Sequence, residues 1–309
     1  MFMLKDMPIK PSIDQVNQQG ESALLVAAKM GHLGLAKQLH DSGAHVDFEK
    51  AVARGYSIAL ELAFDNTLSE DDLHRALLVA CANGQVSLVK LLLAKPIDVN
   101  TRDSNFNTPL ILAAEKGSKE VTKLLLAAGA DANTVGCGKK TVLHAAVNAQ
   151  ESTLVKLLLL AGTGVNAQDM NGLTALHFSS SLGNVEIVKL LIEHGARVNV
   201  TASDMRTPLH AAATSGSQEC MEILLQHGGE AIVNSRDKYG DTALLATAQM
   251  KGLEDATQAI AKCLLRWGAN VNLANEDGTT ALQWALENDN LQLQNLLRTS
   301  GAREDPSVG

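Results

Sequence analysis

The sequence predicts an all-α fold, an α-solenoid of about nine stacked helix-turn-helix repeats with projecting β-turns. Two periodic markers carry this prediction. A leucine recurs every 33 residues in similar sequence surroundings, at Leu77, Leu110, Leu143, Leu176 and Leu209. An asparagine preceded by Val or Ala keeps the same interval, at Asn100, Asn133, Asn166 and Asn199. Units of this length cannot bury an apolar face alone, so they are expected to stack on one another.

Each repeat carries signals for two short helices. The first helix begins at Thr or Ser, whose hydroxyl can accept from free amide groups, and Pro109 and Pro208 stand in its first turn. The second helix shows an apolar stripe at helical spacing, as in Ile187, Leu190 and Leu191. Seven residues after the leucine stands a glycine that can end the first helix in a left-handed conformation, at Gly31, Gly84, Gly117, Gly183 and Gly216.

These motifs resemble the ankyrin repeat family. The most faithful copy, 171–199, has the family's turn, short helix, Gly-containing link, second helix and closing Gly-Ala-x-Val-Asn. Looser copies start near Gly20, Gly240 and Gly278, so repeats cover nearly all of the chain from Val16 to Ala302. The resemblance implies a non-catalytic interaction module that binds another protein on its concave surface, as a scaffold, adaptor or steric inhibitor.

The predicted boundaries follow the two markers. They are a leader at 1–15, a first repeat at 16–47, a degenerate second repeat at 48–72, repeats three to seven at 73–102, 105–134, 138–167, 171–200 and 204–234, an eighth repeat with an insertion at 238–272, a C-terminal capping repeat at 276–303 and a tail at 304–309.

Some repeats depart from the pattern. Only 24 residues separate Leu24 from its equivalent at Phe48, so the second repeat is expected to lack a projecting turn. The third repeat is entered through an acid-rich helix start at Ser69 and Asp72. The seventh repeat is two residues longer than its neighbours, and the eighth has an insertion at 253–258 that adds about one helical turn.

Composition narrows the classes of function. The formal net charge of −8 and the lack of a basic stripe argue against nucleic acid as the main partner. No run approaches the roughly 18 apolar residues of a membrane helix, and the apolar stretch before Lys5 is too short for a secretory signal. The four cysteines show no paired spacing, which fits a reducing compartment. We expect a monomer that is cytoplasmic or otherwise intracellular, with no membrane attachment.

Three histidines at the repeat interval, His144, His177 and His210, could be taken for metal ligands. Equivalent positions in stacked helices lie about 8–10 Å apart, whereas zinc needs nitrogen ligands at about 2.1 Å. The resemblance implies instead that each histidine hydrogen-bonds backbone within and between neighbouring turns. No metal and no cofactor is expected.

Three aspartates, Asp103, Asp169 and Asp237, could be read as catalytic carboxylates. The resemblance implies that each caps a turn by accepting from nearby amide groups, which Asp side chains do well. Lying one repeat apart, they cannot pair as an acid and a base. We therefore expect no enzyme.

The resemblance places a partner on the turn tips and the exposed flank of the first helices. The residues expected there are Met170, Leu173, Leu182, Tyr239, Met250, Lys238, Arg206, Asn171, Asn105 and Lys140. Exposed Met, Leu and Tyr in turns have no packing role and mark interaction sites. For Phe106 and Met205, which stand where the turns usually have Gly, packing against the neighbouring turn is an equal alternative.

Two other functions stay open. One is a bacterial effector or other host-interacting protein, delivered into a host cell, with the same fold and a different partner. The other is an enzyme or small-molecule binder built into the irregular C-terminal repeats, with a pocket near Trp267 and Trp284, although both tryptophans read more simply as core residues.

Overall fold

The computed structural model describes residues 12–63, 69–251 and 254–304. Within these residues the regular structure consists of nineteen α-helices and a single 3-10 turn at Cys137–Lys139, with isolated β-bridges and no extended strand. The predicted all-α fold is confirmed. The chain divides into two compact units, unit 1 at residues 1–131 and unit 2 at residues 132–309.

Unit 1 contains four consecutive pairs of helices. They are α1 (Ala23–Lys29), α2 (Leu33–Asp41), α3 (Phe48–Arg54), α4 (Ser57–Ala63), α5 (Glu70–Asn83), α6 (Val86–Leu93), α7 (Pro109–Glu115) and α8 (Lys119–Ala127). The helices pack in two layers: α3 lies against α5 and α5 against α7 in one, while α4, α6 and α8 follow one another in the other.

Unit 2 continues the same alternation with an irregularity near its C-terminal end. Its helices are α9 (Val142–Asn148), α10 (Ser152–Leu160), α11 (Ala175–Ser181), α12 (Val185–Glu193), α13 (Pro208–Ser215), α14 (Gln218–Gly228), α15 (Glu230–Val233), α16 (Ala243–Ala248), α17 (Glu254–Arg266), α18 (Ala281–Glu287) and α19 (Leu291–Thr299). First helices α9, α11, α13, α16 and α18 form one layer, and α10, α12, α14, α17 and α19 form the other.

Hydroxyl caps begin the first helices, as the sequence predicts. Thr108 accepts from the amide of Ile111 and Thr242 from that of Leu245. At α5 the predicted start is confirmed as a capping box, in which Ser69 accepts from the Asp72 amide and the Asp72 carboxylate accepts from the Ser69 amide. These bonds satisfy amide groups that the helix itself leaves without partners.

Left-handed residues follow the first helices. All five predicted glycines have φ between 66° and 78°. In the fifth repeat Gln150 stands at the glycine position and adopts a φ of 57°. The left-handed backbone is therefore kept here, although a residue with a side chain disfavours it.

The core lies between the two layers of each unit and is built from small and branched aliphatic side chains. The marker leucines Leu77, Leu110, Leu143, Leu176 and Leu209 are all buried. Cys81 and Cys263 are buried core residues as predicted, Cys220 is buried as well, and Cys137 is exposed.

The departures from the repeat pattern have structural counterparts. Helix α3 follows directly from its cap Asp47, which accepts from the Lys50 amide, with no turn before it. The seventh repeat, with its two extra residues, contains the short four-residue helix α15. Helix α17 has 13 residues, whereas the equivalent α12 has nine. Of the predicted insertion 253–258, residue 253 lies outside the described part, as do 1–11 of the leader and 305–309 of the tail.

Candidate partner-binding surface

Five-residue turns precede most of the first helices, and where the first residue of the turn is Asp its carboxylate closes the turn. Asp169 accepts from the amides of Asn171 and Leu173, both at 2.9 Å. Asp237 accepts in the same way from the amides of Tyr239 at 2.9 Å and Asp241 at 3.0 Å. In unit 1, Asp103 caps the equivalent turn. The predicted structural role of these aspartates is confirmed.

The three buried histidines join each turn to the next within unit 2. Nδ1 of His144, His177 and His210 lies 2.9 Å from the hydroxyl of the preceding cap threonine. Nε2 of each lies 3.1 Å from a backbone oxygen of the following turn, on Leu173, Arg206 and Asp241 respectively. Burial lowers the pKa of all three below the ordinary value, although these backbone oxygens act in the opposite direction. The neutral imidazoles therefore hold the turns in a fixed register, as predicted.

Direct backbone bonds connect the same turns into a row. The amide of Met170 donates to the Gly138 oxygen at 2.7 Å, and that of Ser203 to the Asn171 oxygen at 2.8 Å. The row continues from Lys238 to the Asp204 oxygen at 2.8 Å and from Glu276 to the Tyr239 oxygen at 2.9 Å. We call these five hydrogen-bonded turns, 136–140, 169–173, 202–206, 237–241 and 275–279, the turn row.

Glycine permits this close approach at two positions. A Cβ on Gly172 would lie 2.9 Å from the Ser203 nitrogen, and a Cβ on Gly240 would lie 2.9 Å from the Glu276 nitrogen. Both glycines also have a φ above 70°. Any side chain there would push neighbouring turns apart.

The asparagine markers join consecutive repeats just after the C-terminal ends of the second helices. The Asn166 side chain accepts from the Arg197 amide at 2.8 Å and donates to the Gly195 oxygen at 3.0 Å. Asn234 and Asn272 make the same pair of bonds two and three repeats further on. Asn199 makes no side-chain hydrogen bond to any described residue, because α15 replaces the loop that it would meet.

The turn row presents apolar side chains to solvent. Met170 is 67% exposed, Met205 53% and Tyr239 59%. Leu182, at the end of α11, is exposed as well. Met205 is not buried against its neighbour, and in unit 1 Phe106 is also largely exposed, so the exposure of both side chains argues against the alternative of a packing role.

Three of the predicted surface residues project less than the sequence suggests. Leu173, Arg206 and Met250 are half-buried. Leu173 and Arg206 occupy the last position of their turns, where the backbone oxygen is hydrogen-bonded to a histidine Nε2. Their side chains therefore begin further from the tip of the turn. The expected exposure of these three side chains is therefore corrected from full to partial.

Charges are distributed unevenly along the turn row. Lys139 and Lys140 are exposed in its first turn, while Glu276 and Asp277 are exposed in its last. Between them, the Lys238 ammonium lies 4.7 Å from the centroid of the Tyr239 ring. Asn171 is exposed beside Met170, and Asn105 is exposed on the separate turn of unit 1.

A family model describing three copies of the ankyrin repeat matches the sequence at residues 48–136, 77–169 and 143–237. These matches together span 48–237, which is more than half of the chain.

The chain belongs to the ankyrin-repeat family.

Ankyrin repeats are generally non-catalytic protein-interaction modules. A comparison of this ankyrin-repeat chain with curated proteins found no significant match.

Among the described residues, no three or more His, Cys, Asp or Glu side chains lie close enough together to hold a metal ion. Within the same residues, no helix has the length and apolar composition needed to cross a bilayer.

The irregular C-terminal repeats contain a cavity of about 680 Å³ between α14, α17 and α19. Its lining includes Gln218, Lys262 and Leu296 but neither Trp267 nor Trp284. Both tryptophans are half-buried, and the buried Nε1 of Trp284 finds no hydrogen-bond partner among the described residues.

Sequence reasoning missed a polar network in unit 1. Glu21, in the turn before α1, is buried and accepts a 2.8 Å hydrogen bond from the Tyr56 hydroxyl. Arg54 pairs with the same carboxylate, and Lys29 lies 3.5 Å away. The Tyr56 bond, together with those neighbours, holds the pKa of Glu21 below its ordinary value. Nothing in the sequence pattern marks this glutamate, because its position varies from repeat to repeat.

Proposed function

We propose that this ankyrin-repeat chain binds a partner protein through the turn row of unit 2 and acts by that binding alone, as a scaffold, adaptor or steric inhibitor. The observation that carries the proposal is the row of exposed Met170, Met205 and Tyr239 on hydrogen-bonded turns. We propose that the other predicted contact residues surround these three side chains; they are Asn171, Leu173, Leu182, Arg206, Lys238, Met250 and Lys140. On unit 1 the proposed contact is Asn105.

The geometry of the turn row favours binding, because the turns are already ordered before a partner binds. Each turn is tied to the next by a backbone bond, and three pairs are also tied by a histidine. Side chains on such a frame are spaced before the partner arrives, which lowers the entropic cost of association. Tyr and Met are enriched at the centres of interfaces, and Met adapts to irregular partner surfaces.

Backbone strain supports the assignment of Met205 to the interface. Its φ of 62° is a conformation that costs a side-chain-bearing residue about 1–2 kcal/mol. Glycine stands at the equivalent position of three other turns in the row, Gly172, Gly240 and Gly278. A strained residue that is exposed as well has no packing reason to be retained, so we attribute it to function.

The charges along the turn row favour one orientation of the bound partner. An acidic group on the partner would meet Lys139 and Lys140, an apolar stretch would cover Met170 to Tyr239, and a basic group would meet Glu276 and Asp277. Complementary charge of this kind fixes register more than it adds affinity. The same acidic end and the lack of a basic stripe favour protein over nucleic acid as the partner.

Affinity capture from the native cell's lysate tests this function. The bait is the wild-type chain, compared with Met170→Glu/Tyr239→Glu. The matched control is Leu160→Glu/Leu291→Glu, which alters two leucines of unit 2 that are 72% and 69% exposed at helix ends away from the turns. We expect a partner that is retained by wild type and control and lost by the turn-row variant. Equal capture by all three baits would contradict the proposed surface.

We further propose that the chain acts as a monomer in a reducing, intracellular compartment. Cys81, Cys220 and Cys263 are free thiols buried in helices, which supports this compartment. A size-exclusion measurement with light scattering tests the monomer. A concentration-independent dimer mass would overturn it.

A further inference from the structure

A cleft of about 260 Å³ opens in unit 1 between α3 and α5, and its lining is mainly apolar. Phe48 and Val52 line it from α3, and Val79 lines it from α5. Phe48 is half-buried and Val79 is exposed. Apolar atoms gathered around a concave space, and left uncovered, indicate a place where an apolar group can bind.

The cleft exists because these two repeats lack the usual turn. Helix α3 follows directly from Asp47, and α5 begins at Glu70, seven residues before its marker Leu77. In α7, by comparison, the helix begins one residue before the marker Leu110. The early start gives α5 about two extra helical turns. That extension carries Arg75 into the wall of the cleft.

The volume limits what the cleft can hold. An engineered cavity of about 150 Å³ accommodates benzene, and drug-sized ligands occupy sites of about 300–1,000 Å³. A cleft of about 260 Å³ therefore suits one large apolar side chain together with part of the adjoining backbone. It is too small for a nucleotide or a comparable cofactor.

The lining of the cleft holds one carboxylate, Glu49, and one cation, Arg75, while carboxylates outnumber cations on the adjoining helix starts that form its rim. Five acidic residues stand on the cap and first turn of α3 and on the first turn of α5, namely Asp47, Glu49, Glu70, Asp71 and Asp72. The two cations nearby are already paired: Lys50 lies 3.1 Å from Asp47, and Arg75 contacts both Asp72 and, at 3.8 Å, Glu49. Asp71 lies four residues before Arg75, on the same face of α5. The rim is therefore acidic.

We propose that this cleft is a second docking site, which takes a segment of a partner protein with one Leu, Met or Phe side chain flanked by Lys or Arg. The apolar side chain enters between Phe48, Val52 and Val79, and the flanking cations meet Glu49 and Asp71. The site is independent of the turn row, because its residues all belong to unit 1.

The test uses the full chain labelled with ¹³C on its valine methyl groups. Three synthetic peptides serve as probes: a central Leu flanked by arginines, a central Ala flanked by the same arginines, and a central Leu flanked by glutamates. The first should shift the Val52 and Val79 methyl signals saturably, with a Kd of about 1 mM or below. The other two should bind at least about fivefold more weakly, a difference of about 1 kcal/mol.

Substitutions separate this site from the turn row. Val79→Arg introduces a bulky cation into the cleft and should abolish the response, while Leu286→Arg, at a leucine of similar exposure on α18 of unit 2, should leave it unchanged. Glu49→Lys/Asp71→Lys should reverse the preference in favour of the glutamate-flanked peptide. Equal responses to all three peptides, or no saturable shift at either valine, would overturn the proposal and leave the turn row untouched.

Discussion

Met205 combines two features that separately would be ordinary. Its left-handed backbone is common at glycine, and its exposure is common at polar turn residues. Together they describe a residue that lowers the stability of unit 2 and presents an apolar group to solvent. Gln150 shares the backbone strain, with a φ of 57°, but stands at the end of a first helix. The pair allows strain and binding to be separated experimentally.

Replacing Met205 with glycine is expected to stabilise unit 2 and weaken partner binding. Relief of the left-handed conformation should gain about 0.5–1 kcal/mol, since the cost of about 1–2 kcal/mol is partly offset by glycine's greater freedom in the unfolded chain. Urea unfolding and a binding titration with the captured partner measure the two effects. Gln150→Gly is the control and should stabilise without changing affinity. Unchanged affinity for Met205→Gly would remove Met205 from the interface.

The three buried histidines should make unit 2 sensitive to mild acid. Burial puts their folded-state pKa below the unfolded value of about 6.5, so the unfolded chain binds more protons as pH falls from about 7 towards the folded pKa. Stability is therefore fully present above the unfolded pKa and declines below it.

Glutamine is a suitable non-titrating replacement, because the ninth repeat already uses it. Gln283 accepts from the Thr280 amide at 2.7 Å, in the place where the fifth, sixth and seventh repeats have His144, His177 and His210. We expect His144→Gln/His177→Gln/His210→Gln to lose less stability than wild type between about pH 7.5 and pH 5.5 in urea unfolding of unit 2. An identical pH dependence in both proteins would show that these histidines do not titrate in that range.

Among the elements, α3 shows how a repeat without a turn is held in place. The next repeat has no turn that could hydrogen-bond to the turn at 17–21, so side chains from α3 bond to it instead. The Lys50 ammonium donates to the Gly20 oxygen at 2.6 Å, and Arg54 pairs with Glu21. Side-chain bonds thus replace the backbone bonds that connect turns in unit 2.

Removing the charge of Glu21 should loosen this junction. Glu21→Gln keeps the size of the side chain but loses its ion pairs with Arg54 and Lys29, so amides of α3 and α4 should exchange with solvent faster. Hydrogen exchange followed by mass spectrometry measures this. Glu61→Gln, at an exposed glutamate of α4, is the control and should exchange like wild type. Equal exchange in both variants would mean that the network contributes nothing to the junction.

For the whole molecule, periodic features could be predicted from sequence and unrepeated ones could not. Marker leucines, capping threonines and turn aspartates recur at fixed intervals, so the physics of one copy applies to all. The Glu21 network and the cleft between α3 and α5 occur once and depend on which side chains a missing turn leaves uncovered. The exposure of Leu173 was overestimated because its place in the turn was known while the direction of its side chain was not.

The C-terminal repeat is expected to act as a cap. Deleting residues 273–309 removes α18 and α19, which pack on α16 and α17, two helices rich in buried apolar residues such as Leu244, Ile260 and Leu264. The exposed face should make the truncated chain aggregate. Light scattering at equal concentration, with the full chain as control, measures this. A monodisperse, fully helical truncation would contradict the capping role.

The measurement that tests the central claim most directly is site-specific photocrosslinking in the native cell. A photoreactive amino acid replaces Met170 or Tyr239 in the turn row, or Leu160 or Leu291 at the exposed helix ends as controls. The account predicts an adduct with the same partner protein from positions 170 and 239 and none from 160 and 291. Adducts from the control positions alone, from all four positions equally, or from none would contradict the turn row as the binding surface.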